Sequence, residues 1–392
     1  MALTVGVGVA HALDAREAGL QATHQALNRM GNVSPGLAIL ISPHRFDGQM
    51  VVSGVASLLS NVPVIGFSTS ATLTSQGYKA HAVVVVLLGG EDFQAETHWF
   101  ANYSQESAET AARVRQLLSY EQRPVQSILA FADGLNGNAE EFCRSLAEQT
   151  PLLGGLAAGD PQNNFSYQIA GAQSGSDGMA TAFLRGRIKT SVGYSHGWHP
   201  VGNHFRVTRS RGFWLRTLDG HPASEAYAGL FGHPPREWAF PPLNYMTRIY
   251  PLGYEQNDVD DLVIRAPLRV EADGSFRLNA PLRDGADVYL MMASPSACED
   301  AARQAAQQAM LALEGAKPVF GLVLVDSAWQ MILQARPGAE IQALQEIIGE
   351  ELPLAGGYTL GQIVPPRAGQ NESSRFLNQH ILVILFGDPQ EK

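Results

Sequence analysis

Cysteine is almost absent from this chain: 392 residues include only Cys143 and Cys298. The two are far apart, so neither a disulfide framework nor a thiolate metal site can be built from them, and both are expected to be buried, inert thiols. Long apolar runs are missing as well. The longest, Ala82 to Leu88, falls far short of the ~20 residues of a spanning helix and reads as a buried strand, so membrane insertion is not expected. Basic residues are in deficit, with 27 Lys and Arg against 37 Asp and Glu, a net charge of −10. Such a surface repels phosphate backbones and acidic membranes, which argues against a nucleic-acid partner. The opening MALTVGVGVAHALDA has no basic segment ahead of its apolar stretch. It reads as a strand rather than a leader, and a cytoplasmic location is expected. No Walker or dinucleotide glycine fingerprint occurs, nor a G-x-S-x-G elbow. The expectation is a protein that is not an enzyme, with a hydrolase as the alternative because Ser, His and Asp are all present.

What the chain does have is apolar content, 45% of residues, and a length that suits two or three domain-sized units. It also repeats itself. PVIGFSTSA from Pro63 returns as PLLGGLAAGD from Pro151 and as PLAGGYTLGQ from Pro353, each with Pro, two residues and Gly. Before each copy stands an apolar run of buried-strand length, Leu37 to Pro43, Ser127 to Gly134 and Phe320 to Ser327. A helical pattern joins run to motif, with apolar positions Val51 and Val55, then Phe142 and Leu146, then Ile341 and Leu344. Asn138 and Glu141 form a capping-box variant at the second of these.

Further upstream, each copy opens with another strand and helix: Thr4 to Val9 with Ala15 to Met30, Phe93 to Tyr103 with Ser104 to Ser119, and Val288 to Ala293 with Pro295 to Leu313. HAVVVVLL, GMATAFL and HILVILF supply closing strands that pair back antiparallel. The predicted fold is therefore α/β: three diverged strand-helix-strand-helix-glycine loop-strand repeats forming mixed, helix-covered sheets. The third copy lies about 114 residues further from the second than equal spacing allows. A strand-rich insertion is expected there, from about Arg187 to Asp284, with a hairpin turn at Asp273-Gly274.

Two junctions carry a family likeness. HGWHPVGNHFRVTRSRG with LDGHPASEAYAGLFG, and PLAGGYTLGQI with FLNQHILVILF, resemble the end of the N-terminal region and the end of the C-terminal region of FIST proteins, and GGLAAGD is similar. The likeness covers nearly the whole chain, as a FIST N-terminal domain over 1–228 and a FIST C-terminal domain over 229–392. It implies a small-ligand sensory protein of bacterial signal transduction, amino acids being among the proposed ligands, with histidine kinases or cyclic-dinucleotide enzymes as partners. It also implies an alternative, since some members bind haem and sense nitric oxide.

Ligands of parallel α/β sheets bind at the carboxyl ends of strands, where glycine loops can present backbone N–H groups. The expected ligand-binding residues are Ser68 and Thr69; Gly154, Gly155 and Asp160; Asp326 and Ser327; and Gly356, Gly357, Tyr358, Thr359 and Gln362. Together they can hold the carboxylate and ammonium of an amino acid, with Asp326 or Asp160 taking the positive end. No catalytic residues and no cofactor are assigned. His196, His199 and His204 are the group that a haem or metal would use, although no cysteine or acidic residue joins them and a structural turn accounts for Gly197 and Pro200.

Overall fold

The computed structural model describes residues 2–146, 150–159, 165–256, 262–366 and 373–389. The chain begins with β1 (Thr4–Ala10), α1 (Ala15–Met30), β2 (Leu37–Pro43), α2 (Gly48–Ala56), β3 (Val64–Thr69) and β4 (Val83–Gly89). Asp14 and Asp47 fix the helix starts by accepting N–H groups of the first turn. Next come β5 (Phe93–Phe100), α3 (Ser107–Tyr120), β6 (Val125–Asp133), α4 (Ala139–Leu146), β7 (Leu152–Ala157) and β8 (Met179–Gly186). The Asn138 side chain accepts from the Glu141 N–H at 3.1 Å, which starts α4 where the capping pattern places it.

After β9 (Lys189–Ser195) an inserted region carries β10 (Trp198–Arg211), α5 (Ala223–Phe231), α6 (Leu243–Ile249) and β11 (Asp287–Ala293). The chain then runs through α7 (Pro295–Ala312), β12 (Lys317–Asp326), α8 (Ser327–Ile332), α9 (Ala339–Ile348), β13 (Leu354–Val364) and β14 (Ile381–Asp388).

These strands form a mixed α/β fold of several sheets. A six-stranded sheet is ordered β1-β4-β2-β3 and continues into the short strands Gln168–Ala170 and Gln173–Gly175. The main path of an eleven-stranded sheet is β9-β14-β12-β13-β7-β6-β8-β5. The pairs β2 and β3, β6 and β7, and β12 and β13 are parallel, while β4, β8 and β14 return antiparallel beside β2, β6 and β12. Strands β13 and β7 pair antiparallel and join the two halves of the larger sheet.

Strands buried on both faces need near-continuous apolar sequence, which is what LAILISP and VVVVLLG supply. One set of alternating side chains, including Ile39, Ile41, Phe67, Phe131 and Leu322, packs sheet against sheet, with the Phe67 and Phe131 ring centroids 4.3 Å apart. The opposite set, including Ala38, Leu40 and Val85, packs under α1 and α2.

Three expectations change at this level. The Pro-x-x-Gly motifs are not loops: Gly66, Gly154 and Gly356 lie inside β3, β7 and β13. Each stands directly across a parallel pair, from Leu40, Ala130 and Val323 respectively. A Cβ there would meet that partner's carbonyl oxygen at 2.2, 1.8 and 1.8 Å, so the glycines serve close strand approach. Second, Val288 to Ala293 does not open the third set. As β11 it pairs with β10 in a separate eight-stranded sheet, and β9 takes the place beside β14. An apolar strand does not disclose in sequence which sheet it will join.

Third, the inserted region consequently starts after Ser195 and ends before Pro295, later at both ends than the spacing indicates. Its hairpin does turn at Asp273-Gly274, with Gly274 at φ 80° between Pro267–Val270 and Phe276–Leu278. The boundary at 228/229 falls within α5. No helix among the described residues is long and apolar enough to cross a membrane.

Candidate functional site

The expected residues divide by what their polar atoms already do. Ser68 donates to the Ala158 carbonyl at 2.8 Å and accepts from the Tyr167 N–H at 2.9 Å. Thr69 Oγ1 lies 2.9 Å from the Tyr358 carbonyl oxygen, which ties β3 to β13. Gly155 faces Gln362 across the β7–β13 pair, and Gly357 faces Thr72. Thr359 donates to the Val325 carbonyl at 3.3 Å and accepts from Gln362 Nε2 at 3.0 Å, while Gln362 Oε1 accepts from the His380 N–H at 3.3 Å. The structure thus brings the three motifs together, but as a hydrogen-bonded seam of extended strands rather than as an open nest of N–H groups. Asp160 lies outside the described residues.

Tyr358 belongs to the interior too. Its hydroxyl donates to Glu340 Oε1 at 2.5 Å, and Glu340 Oε2 is buried with no partner among the described residues. Burial raises the Glu340 pKa, opposed by the Tyr358 hydroxyl. A carboxyl raised above its unfolded value contributes stability that is complete below the unfolded pKa and is lost as pH rises through the folded one. Glu340→Gln, which cannot ionise, is therefore expected to raise the unfolding midpoint at pH 7.5. The gain should vanish as pH falls below about 4, where the unfolded carboxyl also holds its proton. Chemical denaturation at the two pH values checks this.

Asp326 and Ser327 stand differently. Asp326 ends β12 and caps α8, its two carboxylate oxygens accepting from the Ala328 N–H at 3.0 Å and the Gln379 N–H at 3.1 Å. From the inserted region, α6 reaches across the end of β12, and Arg248 Nη2 donates to Ser327 Oγ. Loss of hydration lowers the Arg248 pKa, opposed by the nearby Asp326 carboxylate. Burial raises the Asp326 pKa, opposed by its backbone donors and by Arg248. A carboxylate and a guanidinium therefore share a poorly hydrated space without contacting each other as an ion pair.

The turn before β14 completes the site. Gln379 has φ 65°, a left-handed conformation uncommon for a side-chain-bearing residue. It is tied down on three sides: its N–H to Asp326, its carbonyl to the Trp329 indole N–H at 2.9 Å, and its Nε2 to the Arg248 carbonyl at 3.0 Å. Only Oε1 is left, buried and without a partner among the described residues. The same holds for Asn378 Oδ1 beside it and for Asn244 Oδ1, one turn before Arg248 on α6.

Residues 36–221 match the FIST N domain and residues 223–365 match the FIST C domain. The chain belongs to the FIST family. FIST domains are generally sensory domains of signal transduction. An uncharacterised protein of Mycobacterium tuberculosis is 22% identical over 381 residues, 94% of this chain and 96% of its own length. One of Mycobacterium bovis is 23% identical, covering 99% of this chain and 100% of its own. An uncharacterised protein of Methanocaldococcus jannaschii is 24% identical over 154 residues, 36% of this chain and 29% of its own. Among solved structures, a chorismatase covers 99% of both chains with 10% identity and a TM-score of 0.39.

The three histidines named for the haem or metal alternative lie apart in their surroundings. His196 Nδ1 accepts from the Trp198 N–H at 3.2 Å, and its ring stands edge-on to His380 at 4.8 Å. His199 and His204 are exposed on β10. A pocket of about 330 Å³ does lie between the β9–β10 corner and α7, bordered by His196, Trp198, His199 and Asp300. Among the described residues, however, no three His, Cys, Asp or Glu side chains converge to hold a metal ion. Adding haemin to the purified protein is expected to give no stoichiometric Soret band.

Arg248, Asn244, Asn378 and Gln379 escape a reading by motif. Arg248 is the one charged residue between Leu243 and Tyr254, and Asn378-Gln379-His380 interrupts an apolar run, which are the available signals. Asp133 is also missed. It stands across from Ala157 as Asp326 stands across from Thr359, but it already accepts from Leu135, Asn136 and Asp177 N–H groups and from the Ser166 hydroxyl.

Proposed function

We propose that this FIST protein is a cytoplasmic sensor that binds an amino acid between α6 and the carboxyl end of β12 and does no chemistry on it. In this reading the three four-strand groups β1-β4-β2-β3, β5-β8-β6-β7 and β9-β14-β12-β13 are diverged copies of one unit. The inserted region, carried by the third, supplies half of the site. The observation that carries the reading is Arg248 meeting Ser327 beside Asp326. Arg248 and Ser327 are donors for a carboxylate, and Asp326 with Gln379 Oε1 is an acceptor pair for an ammonium.

A ligand bridging α6 and β12 binds best when the inserted region is closed on the sheet, so it shifts the population of that arrangement. A signalling protein such as a histidine kinase or a cyclic-dinucleotide enzyme reads the change by contact. The acidic balance of the chain disfavours nucleic acid as that partner. A thermal-shift panel of the twenty amino acids tests the reading. At about a hundredfold excess over Kd, a binder adds about 2.7 kcal/mol of stability, which is a shift of several degrees. The ligand should be recovered unchanged; turnover, or no shift with any amino acid, contradicts the proposal.

A further inference from the structure

The acceptors at this site outnumber what an α-ammonium group requires. Gln379 Oε1, Asn378 Oδ1 and Asn244 Oδ1 are all buried, and none has a partner among the described residues. Two of the three amides are oriented by their own nitrogens, Gln379 Nε2 on the Arg248 carbonyl at 3.0 Å and Asn378 Nδ2 on the Leu377 carbonyl at 3.4 Å. Those two oxygens are therefore fixed as acceptors. All three oxygens sit on two elements that meet at this site, the 378–379 turn and α6, with the Asp326 carboxylate held by the same turn.

We infer that the site selects an amino acid whose side chain ends in a cation, an ammonium or a guanidinium. This rests on the amino-acid reading above. With Gln379 Oε1 taken by the α-ammonium, an apolar side chain would still leave the buried Asn378 and Asn244 oxygens without hydrogen bonds, at a penalty for each. A carboxylate would add acceptors where there are only acceptors and would be repelled by Asp326. A carboxamide donates twice but brings a further acceptor oxygen with it. An ammonium offers three donors and a guanidinium five, with no acceptor in either. The net charge of −10 draws cations toward the protein from a distance as well.

The test is titration calorimetry on the full chain with L-lysine, L-arginine, L-norleucine and L-glutamate. Lysine or arginine is expected to bind at least about tenfold more tightly than norleucine, which matches the lysine stem without its charge. Equal or tighter binding of norleucine or glutamate overturns this inference and leaves the amino-acid reading standing. Binding of none of the twenty amino acids overturns both. Asn244→Leu should weaken lysine about tenfold and strengthen norleucine, which no longer leaves that oxygen unmet, and Asn244→Asp should strengthen lysine. If Asn244→Leu does not fold, Asn244→Asp decides alone, and an unchanged ratio of lysine to norleucine affinity overturns the inference.

Discussion

Gly154→Ala and Gly356→Ala are each expected to destabilise the protein by about 4 kcal/mol or more, which places them at the severe end of single substitutions. An added Cβ would stand 1.8 Å from the Ala130 or Val323 carbonyl oxygen, and those carbonyls belong to the middle of fully buried parallel pairs. Backbone in such a place has nowhere to shift, because helices cover one side and the facing sheet the other. Gly154 carries a further strain, since its φ of 148° is one that side-chain-bearing residues rarely adopt. Gly229→Ala is the matching control. It lies in α5 with nothing within 4 Å of the new carbon, so it should stabilise by up to about 1 kcal/mol. Urea unfolding midpoints of the three variants check the contrast. Wild-type-like midpoints for Gly154→Ala and Gly356→Ala would mean that the motifs do not serve strand packing.

The second large effect belongs to the site. Arg248→Met keeps the bulk of the side chain and removes its donors and charge, so amino-acid affinity is expected to fall about a hundredfold, the worth of a charge-assisted hydrogen-bonded contact. Stability without ligand should also fall, by about 1 to 3 kcal/mol, because the Ser327 contact is lost and the buried Asp326 carboxylate loses its nearby positive charge. Asp326→Asn should weaken binding similarly, by removing the negative charge while keeping an acceptor for the α8 cap. Thr359→Ala separates site from scaffold. It should lower stability by about 1 to 3 kcal/mol, because Gln362 Nε2 and the Val325 carbonyl lose their partner, and it should leave affinity unchanged. Calorimetry and chemical denaturation on the same samples distinguish the two kinds of loss.

Much of this was legible in the sequence because strands buried on both faces leave little choice of residue. LAILISP and the closing HILVILF read as strands and are strands. The α4 cap and the Asp273-Gly274 turn follow from local chemistry and lie where that chemistry puts them. The glycine motifs misled for a physical reason. A glycine after proline is compatible both with a turn and with a strand pressed against a neighbouring carbonyl, and the carbonyl belongs to a residue tens of positions away. The same distance hides half of the site. Asp326 and Ser327 end an apolar run and can be singled out, but Arg248 reaches them from a Pro-rich stretch 79 positions earlier. Gln379 acquires its meaning only through the three hydrogen bonds that leave one oxygen over.

Hydrogen exchange measured by mass spectrometry, with and without the amino acid that most stabilises the protein, tests the central claim most directly. Ligand should slow exchange in α6, in residues 326–332 and in the turn at 378–380, and leave α1 and the β9–β10 corner unchanged. Protection confined to the pocket beside His196 and α7, or absent from α6, would contradict a site shared between the inserted region and the end of β12.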